Sequence, residues 1–161
     1  MFRSLNGLPS HVFFVHAPIV LIPLVSLAAV VLGLHKSPPA WLTRGVLSGV
    51  LITIAFTWAA VQSGQEFDEI IAGQVDTDRH ESLANTTMLL VVGLGLAVAA
   101  LLSVLRRNRD QANPLWRKAR FGLSALTICF AVLSTTWVVQ TGEEGARITW
   151  DGVIPDDDDG G

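Results

Sequence analysis

The chain has 161 residues, 50% of them hydrophobic and only 16% charged, with a mean hydropathy of +0.48. Soluble domains carry roughly a quarter charged residues, so this composition belongs to a membrane protein, and the length leaves no room for a large separate catalytic domain. The single cysteine, Cys129 in an apolar run, excludes an internal disulfide framework, a Cys-x-x-Cys redox pair and a cysteine-rich metal site, and a net charge of −3 argues against nucleic acid as a partner.

An apolar run of about twenty residues crosses a hydrocarbon core of about 30 Å, and such runs recur at 11–34, 41–61, 82–105 and 121–141. The first begins "HVFFVHAPIVL" and carries Pro18 and Pro23, each of which removes a backbone donor and can bend the helix near His16. One Arg precedes it and no small-x-small cleavage site with a polar mature chain follows, so it is expected to be a membrane helix and not a secretory signal. The second run ends in "TWAAVQSGQEFDE", the third opens after an acidic segment with "HESLAN", and the fourth ends in "STTWVVQTGEEGA". None alternates like a barrel strand, and backbone groups in lipid must then be satisfied within helices. The expected fold is all-α, an integral membrane four-helix bundle, with 1–10 an outer N-terminal tail, 11–142 the helical domain and 143–161 an outer acidic C-terminal tail.

Lys and Arg resist translocation and collect on the cytoplasmic side. The loop between the third and fourth runs holds Arg106, Arg107, Arg109, Arg117, Lys118 and Arg120, and the loop between the first and second holds Lys36 and Arg44. Both are expected to be cytoplasmic, leaving Arg3, Arg79 and Arg147 outside and every acidic residue except Asp110 outside as well. Both termini then face outward. Tryptophans fit this layout, with Trp41 and Trp116 at the inner boundary and Trp58 and Trp137 at the outer one, where indoles anchor at headgroups.

The pattern V-Q-[ST]-G-x-E occurs twice, at 61–66 and at 139–144, an offset of 78. At the heads of the first and third runs, His11 aligns with His80 and His16 with Asn85 at an offset of 69, and the longer basic loop accounts for the difference. A parallel duplication of one helical hairpin explains both matches; the alternative is that membrane helices commonly end in polar residues followed by glycine.

Polar groups therefore gather at the outer end. Helix starts bring His11, His16, His80 and Asn85, and helix ends bring Gln62, Glu66, Gln140, Thr141, Glu143 and Glu144. His16 lies five residues, about 7.5 Å, deeper than His11 and about 140° round the helix from it, so the two are not expected to grip one ion. His16 reads either as a ligand or proton-handling group facing the bundle interior, or as a neutral imidazole bonded to a neighbouring helix. His80 reads either as a partner of His16 in a bis-histidine site for haem b, with His11 a further candidate, or as a surface residue near a helix start. Oxygen ligands from Glu66 and Glu143, near Asp68, Glu69, Glu81 and Glu144, would join His16 and His80 around a divalent metal, or would simply be solvated. His35 is expected to be solvated at the exit of the first helix. "DTD" at 76–78 lacks the glycine and closing glutamate of an EF-hand loop, and no nucleophile elbow, Walker loop, HExxH or dinucleotide fingerprint occurs. Gly93 and Gly95 fall inside the third helix, where small residues admit close packing. The "DDDD" at 156–159 is expected to be disordered.

The stretch "LPSHVFFVHAPIVL", followed by three further spans, resembles the bacterial four-span membrane proteins called domain of unknown function 2231, whose first helix begins with a signature like HP-x-x-VHFPI. The specific part is "VHAPI" at 15–19, together with Thr141-Gly142 and "GARITWDGV" near the end. Val12, Ala17 and Asp151 depart from the family's Pro, Phe and late His, and the last departure weakens a family-wide metal or haem site here. The resemblance implies the topology and a bacterial cytoplasmic membrane, and carries no activity with it.

Two functions follow as expectations. One is a small non-enzymatic subunit whose outer His/Glu cluster binds haem or a metal in a redox or respiratory system. The other is a structural or assembly subunit of a larger membrane complex, without a cofactor, in which polar groups pin helices together. Both place the chain in the lipid bilayer beside other membrane subunits. A transporter would want polar residues at the midplane, where helices two to four offer only Ser48, Thr53, Ser124 and Thr127.

Overall fold

The computed structural model describes residues 10–71, 76–107 and 114–150, with side chains over 14–66, 76–107 and 114–150. These residues form α1 (Ser10–Leu34), α2 (Ala40–Ile71), α3 (Asp78–Arg107) and α4 (Pro114–Trp150). Arg3, Arg109, Asp110 and the acidic tail at 156–159 lie outside the described residues, as do the side chains of His11, Asp68 and Glu69. Each helix contains a stretch long and apolar enough to cross a membrane.

The helices close a ring in which α1 packs on α2 and α4, and α3 on α2 and α4, while α1 and α3 barely meet across the diagonal. Buried positions recur at helical spacing: Ile22, Val25, Ala29 and Leu32 on α1, Val46 and Val50 on α2, Val91, Leu94, Val98 and Leu101 on α3, and Ala131 and Val138 on α4. Leu24, Leu27, Val31, Leu89, Leu96 and Val132 point outward, the surface that lipid covers. Apolar burial between helices gains little over lipid contact, so close backbone approach and interhelical hydrogen bonds matter more. Gly93 and Gly95 supply that approach. A Cβ on Gly95 would stand 3.0 Å from Ile54 Cδ1 on α2, and one on Gly93 would enter the Phe130 ring on α4, as expected for this pair.

Helix ends follow local chemistry. Asp76 Oδ1 accepts a hydrogen bond from the Asp78 amide at 3.1 Å, and Asp78 and Glu81 in the first turn of α3 face the positive end of its dipole. The "DTD" segment thus starts a helix. Pro114 opens α4, where its missing N–H costs nothing. At 32 and 37 residues, α2 and α4 are roughly 48 and 55 Å long at the usual rise, well beyond the hydrocarbon core. Sequence patterning locates the ends of the apolar stretches at 61 and 141, but the helices run on. Gly64 and Gly142 do not stop them, because the Gln and Glu residues that follow are good helix formers.

Arg106, Arg107, Arg117, Lys118, Arg120, Lys36 and Arg44 collect at one end of the bundle, and the starts of α1 and α3 with the ends of α2 and α4 at the other. At the basic end Arg120 Nη2 donates to the His35 carbonyl at 2.8 Å, and His35 Nδ1 accepts from the Ser37 amide at 3.2 Å. A cation from α4 therefore satisfies a terminal carbonyl of α1, where the helix dipole favours positive charge. His35 is exposed at the exit of α1, as expected, and also accepts a hydrogen bond there.

Candidate functional site

Of the polar residues singled out at the acidic end, His80, Thr141 and Glu144 contact a neighbouring helix. His80 sits in the first turn of α3, two residues ahead of the apolar stretch that begins at Ser82. Its ring lies against the backbone of α4, where a Cβ on Gly145 would be 3.1 Å from His80 Cε1 and 3.4 Å from Nδ1. The neighbouring Thr141 backbone offers the imidazole a hydrogen bond and the Glu144 carboxylate an opposite charge, both of which favour protonation, yet burial outweighs them and holds His80 below the usual imidazole value of 6.5. Its Nδ1 atom is buried with no hydrogen-bond partner.

Around this ring, Arg79 Nε approaches Glu144 Oε2 at 3.6 Å, with Glu144 only 14% exposed and Arg79 71%. One turn further in, the hydroxyls of Thr87 on α3 and Thr141 on α4 meet at 3.0 Å. Each also lies within bonding reach of a carbonyl of its own helix, Leu83 at 2.9 Å and Trp137 at 2.8 Å. Two hydroxyl protons are shared among these three contacts. From α2, Gln65 Nε2 donates to Glu81 Oε1 at 3.4 Å and Gln62 Nε2 to Gln65 Oε1 at 3.3 Å. α2, α3 and α4 are thereby tied at this end.

The other expected participants lie on different faces from His80. Measured round α1 from His16, the buried positions Pro18, Ile22, Val25, Ala29 and Leu32 fall between about 160° and 240°, and His16 itself is exposed. It lies on the outward face with Val20, Leu24 and Leu27, contrary to the interior placement expected for it, because the register of the apolar core positions on α1 fixes which side turns inward. His80 is enclosed between α3 and α4, diagonally removed from α1. Gln62, Asn85, Gln140 and Glu143 are exposed, and Glu66 is half-buried. Among the described residues, no three His, Cys, Asp or Glu side chains group closely enough to hold a metal ion.

Several of the repeated positions have matching orientations. Ser63 and Thr141 both turn toward the bundle and donate to a carbonyl one turn back, Gln62 and Gln140 both face out, and His16 and Asn85 both face out. Sequence reasoning missed the Arg79–Glu144 pair, the Arg120–His35 contact and the packing of His80 on Gly145. The last had a trace in "GEEGA", where a second glycine stands at the end of a helix with no turn to require it.

Neither a curated protein nor a solved structure matches the chain. A family described as a predicted membrane protein, DUF2231, matches it over residues 7–157. That stretch takes in all four helices, the "VHAPI" segment of α1 and the polar end of α4, and the chain is a multi-pass membrane protein belonging to the DUF2231 family.

Proposed function

We propose that the protein is a non-catalytic structural or assembly subunit of a larger membrane complex, with the polar groups of its acidic end serving to lock helices. The observation that carries this is the use of His80, Glu144, Thr141 and Thr87 in α3–α4 contacts in place of an open cavity lined by ligands. A haem or metal site built on His16 and His80, with Glu66 and Glu143, is the second reading. It is favoured by the unpartnered Nδ1 of His80, which is a donor or acceptor in need of a mate. An optical spectrum and elemental analysis of protein purified in mild detergent from its native membrane separate the two. A colourless, metal-free protein recovered with other membrane subunits is the expected result; a Soret band or about one metal per chain would overturn the scaffold role and promote the histidines to ligands.

We further propose that the basic end is cytoplasmic in a bacterial inner membrane, with both termini outside, since seven described cations stand at that end and positive charge is retained inside. A single cysteine placed at Arg117 in a Cys129→Ser background should react with a membrane-impermeant maleimide only after cells are opened. One at Arg147 should react in intact spheroplasts, and the reverse pattern would invert the topology.

A further inference from the structure

An open groove of about 670 Å³ runs between α1 and α4 on the outer surface of the bundle. Leu27, Val30, Ala131 and Val132 line its apolar part, while Thr136, Gln140 and Glu143 add polar groups on successive turns of α4 toward the acidic end. Ser26 lines it from α1, is only 4% exposed, and its hydroxyl has no hydrogen-bond partner. The two groove threonines differ in this respect, because Thr135 donates to the Ala131 carbonyl at 2.9 Å and Thr136 to the Val132 carbonyl at 3.0 Å. Thr53, Thr57, Thr87 and Thr127 in the interior do the same with their own helices. Ser26 alone on the groove wall keeps a proton without an acceptor, and a turn about its single side-chain bond presents that proton to the groove.

Depth and charge define what would accept it. Ser26 lies eight residues before Leu34, where the apolar span of α1 ends, so about 12 Å from that face of a core about 30 Å thick. Headgroups and glycerol esters of phospholipids stay at the interfaces, too far away to reach this hydroxyl. No cation lines the groove and the Glu143 carboxylate stands at its mouth, which disfavours a phosphate. A neutral carbonyl that dissolves at the bilayer midplane satisfies every one of these conditions. We propose that the α1/α4 groove binds a lipid-soluble quinone, with a ring carbonyl accepting from Ser26 and the isoprenoid chain lying along the apolar wall. This goes beyond the structural role proposed above and does not depend on it.

The test is titration of the full-length protein in nanodiscs with a short-chain ubiquinone, read by equilibrium partition against empty nanodiscs, together with native mass spectrometry of what co-purifies. Saturable binding is expected in the parent protein. Ser26→Ala should weaken it about tenfold, the upper end of one neutral hydrogen bond, with thermal stability unchanged or raised because a buried unsatisfied hydroxyl is removed. Val132→Trp fills the groove from an exposed position and should abolish binding without touching the core. Uptake no greater than in empty nanodiscs, or binding indifferent to Val132→Trp, would overturn the assignment. So would a bound phospholipid, not a quinone, being the species that Val132→Trp expels.

Discussion

Gly93→Leu should leave little monodisperse protein after detergent extraction. A Cβ at this position would lie 2.8 Å from Phe130 Cζ, with other ring atoms nearby, inside any distance that real Cβ contacts tolerate. Phe130 packs against the main core cluster, so its ring cannot swing away without opening the α3–α4 seam. Even Gly93→Ala is expected to cost about 1–3 kcal/mol, the usual range for overpacking. Phe130→Leu in the same chain should recover part of that loss, which a double-mutant cycle on thermal unfolding would read as coupling. Gly122→Ala is the control. Nothing lies within 4 Å of its added Cβ, so replacing a helical glycine there should stabilise by up to about 1 kcal/mol. Equal behaviour of the two alanine variants would show that α3 and α4 are not in van der Waals contact at Gly93.

His80→Ala is expected to lower stability by about 1–2 kcal/mol, through the lost packing on Gly145 and the lost hydrogen bond at Thr141. The amount of folded protein should fall while colour and metal content stay where the parent protein has them, and a loss of a chromophore or metal would instead show that the imidazole is a ligand. Acidification supplies an independent signature. Burial holds the folded His80 below its unfolded value of 6.5, so the unfolded chain binds the extra proton first. The stability tied to neutral His80 is complete above pH 6.5 and is lost as pH falls below it. The charged group beside the ring is Glu144, which approaches Arg79 at 3.6 Å. Unfolding temperature should therefore decline between pH 7.5 and 5.5 in the parent and decline less in His80→Gln. Parallel curves would show that His80 is not buried as described.

Residue type and periodicity by themselves determined that this chain crosses a membrane four times as helices. The cause is that hydrocarbon offers no partner for backbone N–H and C=O groups, so apolar runs at 11–34, 41–61, 82–105 and 121–141 had one available solution. The same sequence placed the charges at two opposite ends and marked Gly93 and Gly95 for close packing. It also named most of the residues at the acidic end, because helix starts and ends must come together in an up-down bundle of even span count.

Which way those residues turn was left to the tertiary structure. His16 and Pro18 are two positions apart in the chain, yet about 200° apart round α1, and only the packing of Ile22, Val25 and Ala29 against the neighbouring helices puts the proline inside and the histidine outside. The pairing of His80 with Gly145, of Arg79 with Glu144 and of Arg120 with the His35 carbonyl joins residues 65 to 85 positions apart. No local pattern encodes such contacts, since they depend on which helices are neighbours and at what height they meet. Ser26 shows the same limit from the other side: a lone serine within the apolar stretch of α1, it becomes distinctive only when the α1/α4 groove forms and the two threonines along it have already found carbonyls.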